Sequence, residues 1–133
     1  MGLLTIHLDR ATNLKDEDTI GKSDPYFIFE CEKDNFGPFD KTYGMQKSSV
    51  KHGDLNPVYD ETFHFTVPDL DNAVLKIKVM DDDLLTKDDK MGKAKIKLEK
   101  LGLSETPMHI EEKVYNRMFR KDGYVHLNLS YTP

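Results

Sequence analysis

Two acidic segments lie far apart in the sequence and together offer an unusual number of carboxylate ligands. Residues 81–90 hold five aspartates and two lysines, and residues 15–24 hold four acidic residues and two lysines. Their combined net charge is −5, which equals the net charge of the whole chain. Carboxylates crowded in this way repel one another unless a cation lies between them. Because the ligands are hard oxygens and neither segment contains cysteine, the segments favour calcium over zinc or copper.

The elements that position these segments are predicted to be strands, because apolar and polar residues alternate along most of the chain. No long helical pattern interrupts them, although one helical turn is expected within residues 99–107. Residues 120–123 end in Asp-Gly and are expected to form a hairpin turn. The sequence therefore predicts an all-β fold, an eight-stranded antiparallel β-sandwich. The predicted strands are residues 4–8, 26–32, 42–50, 62–67, 75–79, 93–98, 108–119 and 125–131.

Polar residues that alternate with the apolar ones are expected on the outer faces of the sheets. The lysines at 76, 78, 93, 95 and 97 should form a solvated face, since antiparallel sheets commonly face water on one side. The same alternation predicts that His7, His64 and His126 point outward. Cys31 lies inside a strand and is expected to be a buried, unreactive thiol.

The bulk composition excludes several classes of function. With 133 residues the chain is expected to form a single domain, residues 1–133, that buries its own core. One cysteine gives no disulfide framework and fits a reducing, cytoplasmic compartment. A pI near 5.5 gives no reason to expect a nucleic-acid partner. No acid–base pair accompanies a candidate nucleophile, so the chain is not expected to be an enzyme.

Four blocks of sequence, in order and at matching spacings, resemble the C2 domain of protein kinase C and synaptotagmin. The resemblance covers nearly the whole chain, and its last segment, 123–131, is similar to the strand that opens the family's other circular permutant. The resemblance therefore implies the type II order of strands. Counting antiparallel passes in that order predicts that both termini lie opposite the acidic loops. The blocks are Asn13-Leu14 with Asp18, Gly-Lys-Ser-Asp-Pro-Tyr at 21–26, Leu-Asn-Pro-Val-Tyr-Asp-Glu-Thr-Phe at 55–63, and the acidic segment 81–92.

The resemblance also implies a ligand set for two or three calcium ions. Backbone carbonyls near Glu17, Asp82 and Lys87 would complete the coordination shell, and the Thr86 hydroxyl would serve an outer ion. A purely structural role as turn residues and helix caps would explain some of the acids, but not their concentration in two loops. The five matching aspartates are Asp18, Asp24, Asp81, Asp83 and Asp89.

A C2 domain of this kind is expected to be a cytoplasmic monomer that calcium recruits peripherally to an anionic, phosphatidylserine-like membrane. Ile20, Leu84 and Leu85 are expected to contact lipid from the loop tips, helped by Arg120 and Lys121. The alternative is a calcium-stabilised module that binds a protein partner without membrane recruitment.

One departure from the family pattern concerns phosphoinositides. The strand that begins near Tyr26 often carries lysines that contact these headgroups, whereas this chain has Ile28 and Glu30 there. Lys47 on the next strand retains one basic position.

Overall fold

The computed structural model describes residues 2–15, 23–34, 41–83, 87–116 and 121–133. These residues form eight antiparallel strands and one short 3₁₀ turn, Leu98–Leu101. Within those ranges no helix has the length and apolar character needed to cross a membrane. The strands are β1 (Leu3–Thr12), β2 (Pro25–Lys33), β3 (Lys41–Lys47), β4 (Val58–Thr66), β5 (Ala73–Asp81), β6 (Asp89–Lys97), β7 (Met108–Tyr115) and β8 (Lys121–Thr132).

The strands form two four-stranded layers, in the orders β3-β2-β5-β6 and β7-β8-β1-β4. In the part of the chain that the structure describes, a single residue pair, Lys93 with Tyr115, connects β6 to β7 and so joins the layers at one side. Gly92 lies at this joint, where an added Cβ would come within 2.6 Å of a Val114 methyl group. The absence of a side chain at Gly92 therefore lets the two layers approach closely.

The core lies between the two layers and is built from the alternating apolar residues of both. Phe27 on β2 meets Tyr59 on β4 edge to face, with ring centroids 5.4 Å apart. Phe29 on β2 similarly contacts Phe63 on β4, with ring centroids 5.3 Å apart. These contacts across the layers confirm the predicted all-β sandwich. Cys31 belongs to the same buried cluster, and its burial raises the pKa of the thiol to about 12, which makes it unreactive at neutral pH.

The two ends of the sandwich are distinguished by their residue pairs. Leu3 pairs with Thr66 and Thr132, which places both termini at one end. Asp81 pairs with Pro25 at the other end. This arrangement confirms the type II order, because the last strand occupies the position expected for that permutant.

The expected hairpin turn at 120–123 is wrong in its placement. Residues 121–123 belong to β8, and Lys121 pairs with Tyr115 on β7. Gly123 adopts a φ of 96° where the register between the two strands shifts. The Asp-Gly sequence therefore marks an irregularity within the strand pair, since Gly is the residue that accepts a positive φ in a bulge.

We expect Gly123→Ala to lower the free energy of unfolding by about 3 kcal/mol, because two costs add. The backbone conformation disfavours an L side chain, and the new Cβ would lie 2.5 Å from the Thr12 carbonyl oxygen. Urea denaturation measures the effect. Gly102→Ala is the matched control, since Gly102 has a φ of 65° but no atom within 4 Å of an added Cβ. Equal losses in the two variants would show that the contact with Thr12 contributes nothing.

His126 lies on the outward face of β8, between the core residues Val125 and Leu127, as the alternation predicts, but that face is covered there. Only 6% of the surface of His126 is exposed. Its Nε2 atom lies 3.0 Å from the Thr12 hydroxyl, and the His109 ring stacks against it at 6.0 Å. Burial, followed by the charge of Arg10, lowers the pKa of His126. Alternation gives the face of a sheet on which a residue lies but not the neighbours that cover it.

Strand boundaries differ from the sequence prediction by up to four residues, and β1, β4, β6 and β8 are longer than expected. The third strand ends at Lys47 rather than at residue 50, and the seventh ends at Tyr115 rather than at 119. Of the expected seventh strand, residues 117–119 lie outside the described residues. The expected helical turn is present as Leu98–Leu101.

Candidate metal centre at one end of the sandwich

Three strand ends bring aspartates from distant parts of the sequence to the same end of the sandwich. Pro25, the first residue of β2, pairs with Asp81, the last residue of β5. Asp81 in turn pairs with Asp89, the first residue of β6. Asp24, Asp81 and Asp89 therefore lie at the edge of three adjacent strands.

Asp24 belongs to the segment between β1 and β2, the first loop, and Asp81 ends β5 where the segment to β6, the third loop, begins; the two are connected directly. The backbone amide of Asp24 donates to Oδ1 of Asp81 over 2.8 Å. The backbone amide of Asp82 donates to the carbonyl of Asp24 over 3.0 Å. Asp81 is 5% exposed, so its carboxylate is held in a fixed position between the strands. This geometry orients a buried carboxylate toward the first loop.

The segment between β3 and β4 closes the third side of the site. The backbone amide of Gly53 donates to Oδ1 of Asp24 over 2.7 Å. Nδ1 of His52 lies 3.9 Å from Oδ2 of the same carboxylate. The same segment reaches β2, since the amide of Lys51 donates to the carbonyl of Pro25 over 3.1 Å. Asp24 is thus positioned both by β5 and by the segment between β3 and β4.

Tyr59 holds the start of β2 in place. Its hydroxyl donates to the carbonyl of Pro25 over 2.6 Å, and burial raises its pKa. The Tyr59 ring also meets Phe27 edge to face, so the same side chain connects the core to the start of β2.

Asp88 has a role that the sequence did not indicate. Its Oδ1 accepts a hydrogen bond from the backbone amide of Asp83 over 3.0 Å, and its Oδ2 accepts one from the Tyr26 hydroxyl over 2.5 Å. The bond from Asp83, and then that from Tyr26, lowers the pKa of Asp88. Burial, and then the bond to Asp88, raises the pKa of Tyr26 to about 12. Asp88 therefore ties the third loop to β2. No signal in the sequence pairs residues 62 positions apart.

The remaining predicted residues are distributed as follows. Asp82 and Asp83 are half-buried, and Lys87 and Asp89 are exposed. Lys121 is the first residue of β8. The other predicted positions, Glu17, Asp18, Ile20, Leu84, Leu85, Thr86 and Arg120, lie outside the described residues.

The donor chemistry of this end fits a hard cation. Every candidate ligand among the described residues is a carboxylate or carbonyl oxygen, the ligand type that calcium prefers. Among those residues no three His, Cys, Asp or Glu side chains are grouped closely enough to hold a metal ion. The ligand set implied by the resemblance includes Asp18, so a full shell would draw on the first loop as well.

Comparison with known proteins places the chain in a family. A family model described as C2 domain matches residues 2–116. The mouse Multiple C2 and transmembrane domain-containing protein 2 is 42% identical over 108 residues, 81% of this chain and 11% of that protein. An Arabidopsis thaliana protein named Calcium-dependent lipid-binding protein is 32% identical over 100 residues, 75% of this chain and 18% of that protein. The chain thus spans less than a fifth of the length of either relative.

Among solved structures, a C2 domain of plant Extended Synaptotagmin 1, the one designated A, superposes with a TM-score of 0.85 at 26% sequence identity. The match covers 99% of this chain and 95% of that domain. The family model and the curated relatives agree with the superposed structure on the fold. The chain therefore belongs to the C2 domain family, a family of binding modules.

Proposed function

We propose that this domain is a calcium-dependent membrane-targeting module. It binds two or three calcium ions in the loops at one end of the sandwich and docks through them to anionic, phosphatidylserine-like headgroups. The observation that carries the proposal is the convergence of Asp24, Asp81 and Asp89 on one edge of three strands. The name of the similar Arabidopsis protein, which describes calcium-dependent lipid binding, supports it.

The residues that would hold the ions are those of the first and third loops. Asp18, Asp24, Asp81, Asp83 and Asp89 would supply carboxylates, and Thr86 would supply a hydroxyl. The carbonyl groups near Glu17, Asp82 and Lys87 would add neutral oxygens. When bound, calcium supplies positive charge and coordination positions that a lipid phosphate or carboxylate oxygen fills.

The charge of the loops makes recruitment conditional on calcium. Residues 15–24 and 81–90 carry a net charge of −5, so an anionic leaflet repels them. Two calcium ions bring this charge to −1, and three bring it to +1. Ile20, Leu84 and Leu85 can then enter the headgroup region, while Arg120 and Lys121 approach the anionic surface. The domain acts as a monomer that moves from the cytoplasm to the membrane surface.

Sedimentation of the domain with phosphatidylserine-containing vesicles, with calcium and with a chelator, tests the proposal. We expect the domain to sediment with the vesicles only when calcium is present. If calcium raises the stability of the domain but never brings it to the vesicles, the alternative holds. The domain would then be a calcium-stabilised module for a protein partner.

The two hydrogen bonds that Asp88 accepts lead to a separate prediction. Asp88→Ala frees the amide of Asp83 and releases Tyr26, so we expect calcium affinity to fall about fivefold while the fold remains intact. Isothermal titration with calcium measures the affinity. Asp69→Ala is the matched control, because Asp69 also accepts from a backbone amide, two positions on, at the opposite end of the sandwich. An equal loss in both variants would show that net charge, rather than the anchoring of the third loop, sets the affinity.

A further inference from the structure

Ser49 is exposed and follows the end of β3, where the carboxylate of Glu61 holds it. Oε1 of Glu61 accepts a hydrogen bond from the Ser49 backbone amide over 3.0 Å, and Oε2 of Glu61 accepts one from the Ser49 hydroxyl. Glu61 lies on the core face of β4, since it pairs with the buried Leu8 and stands two residues before the buried Phe63. The contact therefore fastens the segment after β3 to the opposite layer of the sandwich.

The segment that begins at Ser49 leads directly to the metal centre. The amide of Lys51 donates to the carbonyl of Pro25 over 3.1 Å, and the amide of Gly53 donates to Oδ1 of Asp24 over 2.7 Å. Three residues separate Ser49 from Gly53, and the structure places them in neither a helix nor a strand. A displacement of Ser49 therefore changes the position of the amide that orients Asp24.

Among the five serines of the chain, Ser49 combines exposure with basic neighbours. Lys47 and Lys51 lie two residues to either side of it, and neither is buried. Protein kinases choose substrates partly by such charge patterns around the acceptor hydroxyl, and positive neighbours also stabilise the phosphate once it is attached. The other serines are buried, lie within a strand or precede an acidic residue: Ser23, Ser48, Ser130 and Ser104. Ser49 is therefore the serine best suited to accept a phosphoryl group.

We propose that Ser49 is a phosphorylation site and that a phosphate on it weakens calcium binding at the metal centre, a step that rests on the proposed function. A protein kinase that selects basic flanking residues transfers the γ-phosphoryl group of ATP to the hydroxyl. The Oγ atom bonds to the γ-phosphorus, the bond from that phosphorus to the β–γ bridging oxygen breaks, and ADP leaves. The hydroxyl proton passes to the catalytic carboxylate of the kinase.

The phosphate cannot keep the contact that the hydroxyl makes with Glu61. A phosphoserine carries a charge of about −1.5 to −2 at pH 7, and its Oγ atom no longer carries a proton, so it repels the Glu61 carboxylate. The Ser49 amide, which donates to the same carboxylate, moves with it. The loss of this attachment displaces Gly53 and leaves Asp24 without the bond that orients it. Calcium then meets a ligand that has to be ordered on binding, which lowers its affinity.

The first experiment asks whether Ser49 accepts the phosphate. The domain is incubated with ATP and the catalytic fragment of protein kinase C, a kinase that selects serines with basic neighbours, and mass spectrometry locates the product. We expect phosphate on Ser49, and Lys47→Gln with Lys51→Gln to slow its addition about tenfold. A parent domain without phosphate on Ser49 overturns the proposal, as does a rate that the lysine variant leaves unchanged.

The second experiment measures calcium affinity by isothermal titration of the domain synthesised with phosphate on Ser49. We expect the affinity to fall about tenfold, the effect of one hydrogen bond to a charged group. Phosphate on Ser104 is the matched control, because Ser104 is exposed and its carbonyl accepts from the amide of Tyr131, at the end of the sandwich that holds the termini. In Glu61→Gln, which removes the repulsion, phosphate on Ser49 should lower the affinity less than about threefold.

An affinity that rises or stays the same overturns the proposal, since a phosphate that acted by its charge alone would attract calcium. An equal fall with phosphate on Ser104, or an undiminished fall in Glu61→Gln, overturns it as well. Amide hydrogen exchange in chelator gives a readout that does not need calcium, and phosphate on Ser49 should speed exchange at Lys51 and Gly53 about tenfold. Unchanged exchange would contradict the release of the segment, whereas an unmodified domain that binds no calcium would contradict the proposed function.

Discussion

Asp24→Asn and Asp81→Asn are each expected to remove most of the rise in melting temperature that calcium produces in the parent domain. Calcium binds the folded loops and not the unfolded chain, so it stabilises the fold by mass action. At ~100 times the dissociation constant, one site contributes about 2.7 kcal/mol. For a domain of this size that corresponds to about 10 °C.

Without calcium, the same variants are expected to be as stable as the parent or slightly more stable. An asparagine Oδ1 can still accept the bonds that these carboxylates accept, from Gly53 to Asp24 and from Asp24 to Asp81. The change removes one of several repelling negative charges. The two variants therefore separate the metal role of the carboxylates from their structural role.

Differential scanning calorimetry with chelator and with calcium measures both effects. Asp71→Asn is the matched control, because it removes one exposed carboxylate two residues before β5. The length of β5, about 26 Å, separates it from Asp81 at the other end of the strand. It should keep the full calcium response. If Asp24→Asn and Asp81→Asn also keep it, these residues are not ligands.

The architecture was accessible from the sequence because its strands are half-buried and alternate. Each of the eight expected strands corresponds to one in the structure, and the position of the last segment gave the type II order. The errors lie where the local sequence is compatible with more than one structure. Asp122-Gly123 fits a tight turn and also fits a bulge, and only the pairing of Lys121 with Tyr115 distinguishes them. The side chains that cover His126 are equally a product of the tertiary fold.

The candidate site, too, was predictable only in part from the sequence. The acidic segments and their spacing predicted which residues share one end of the sandwich, since strand direction follows from counting antiparallel passes. The bonds that position them were not predictable. The anchoring of Asp88 by Tyr26 and the contact of Gly53 with Asp24 depend on loops that meet only after folding.

The lysines illustrate a third case. Their alternation with core residues predicted an outward face, and the structure places them there. What the alternation does not show is which strands are neighbours, and therefore that Lys78 faces Lys93 and that β7 closes the other side. A charge pattern that is ordinary along one strand becomes a concentrated positive surface when two such strands pair.

Leu84→Ala combined with Leu85→Ala is expected to weaken calcium-dependent binding to phosphatidylserine vesicles by tens of fold. The third loop places two adjacent leucines between its aspartates, where a soluble domain gains little from large apolar groups. Burying one leucine contributes roughly 1.5–3 kcal/mol. Calcium affinity measured without vesicles should remain almost unchanged, because neither side chain offers an oxygen ligand. Arg120→Ala with Lys121→Ala should reduce the free energy of vesicle binding by less, about 1 kcal/mol per basic residue, and chiefly at low salt.

Calcium titration with and without phosphatidylserine vesicles, at low and at high salt, measures these effects. Leu3→Ala with Met45→Ala is the matched control, since both residues are exposed apolar side chains on strands, 42% and 57% accessible, and neither lies in a loop of the calcium end. The control should bind vesicles like the parent. High salt screens the basic residues but not the apolar contacts, so insertion predicts that the leucine variant is weak under both conditions. If it instead binds like the parent in high salt, the calcium ions alone bridge the domain to the lipid.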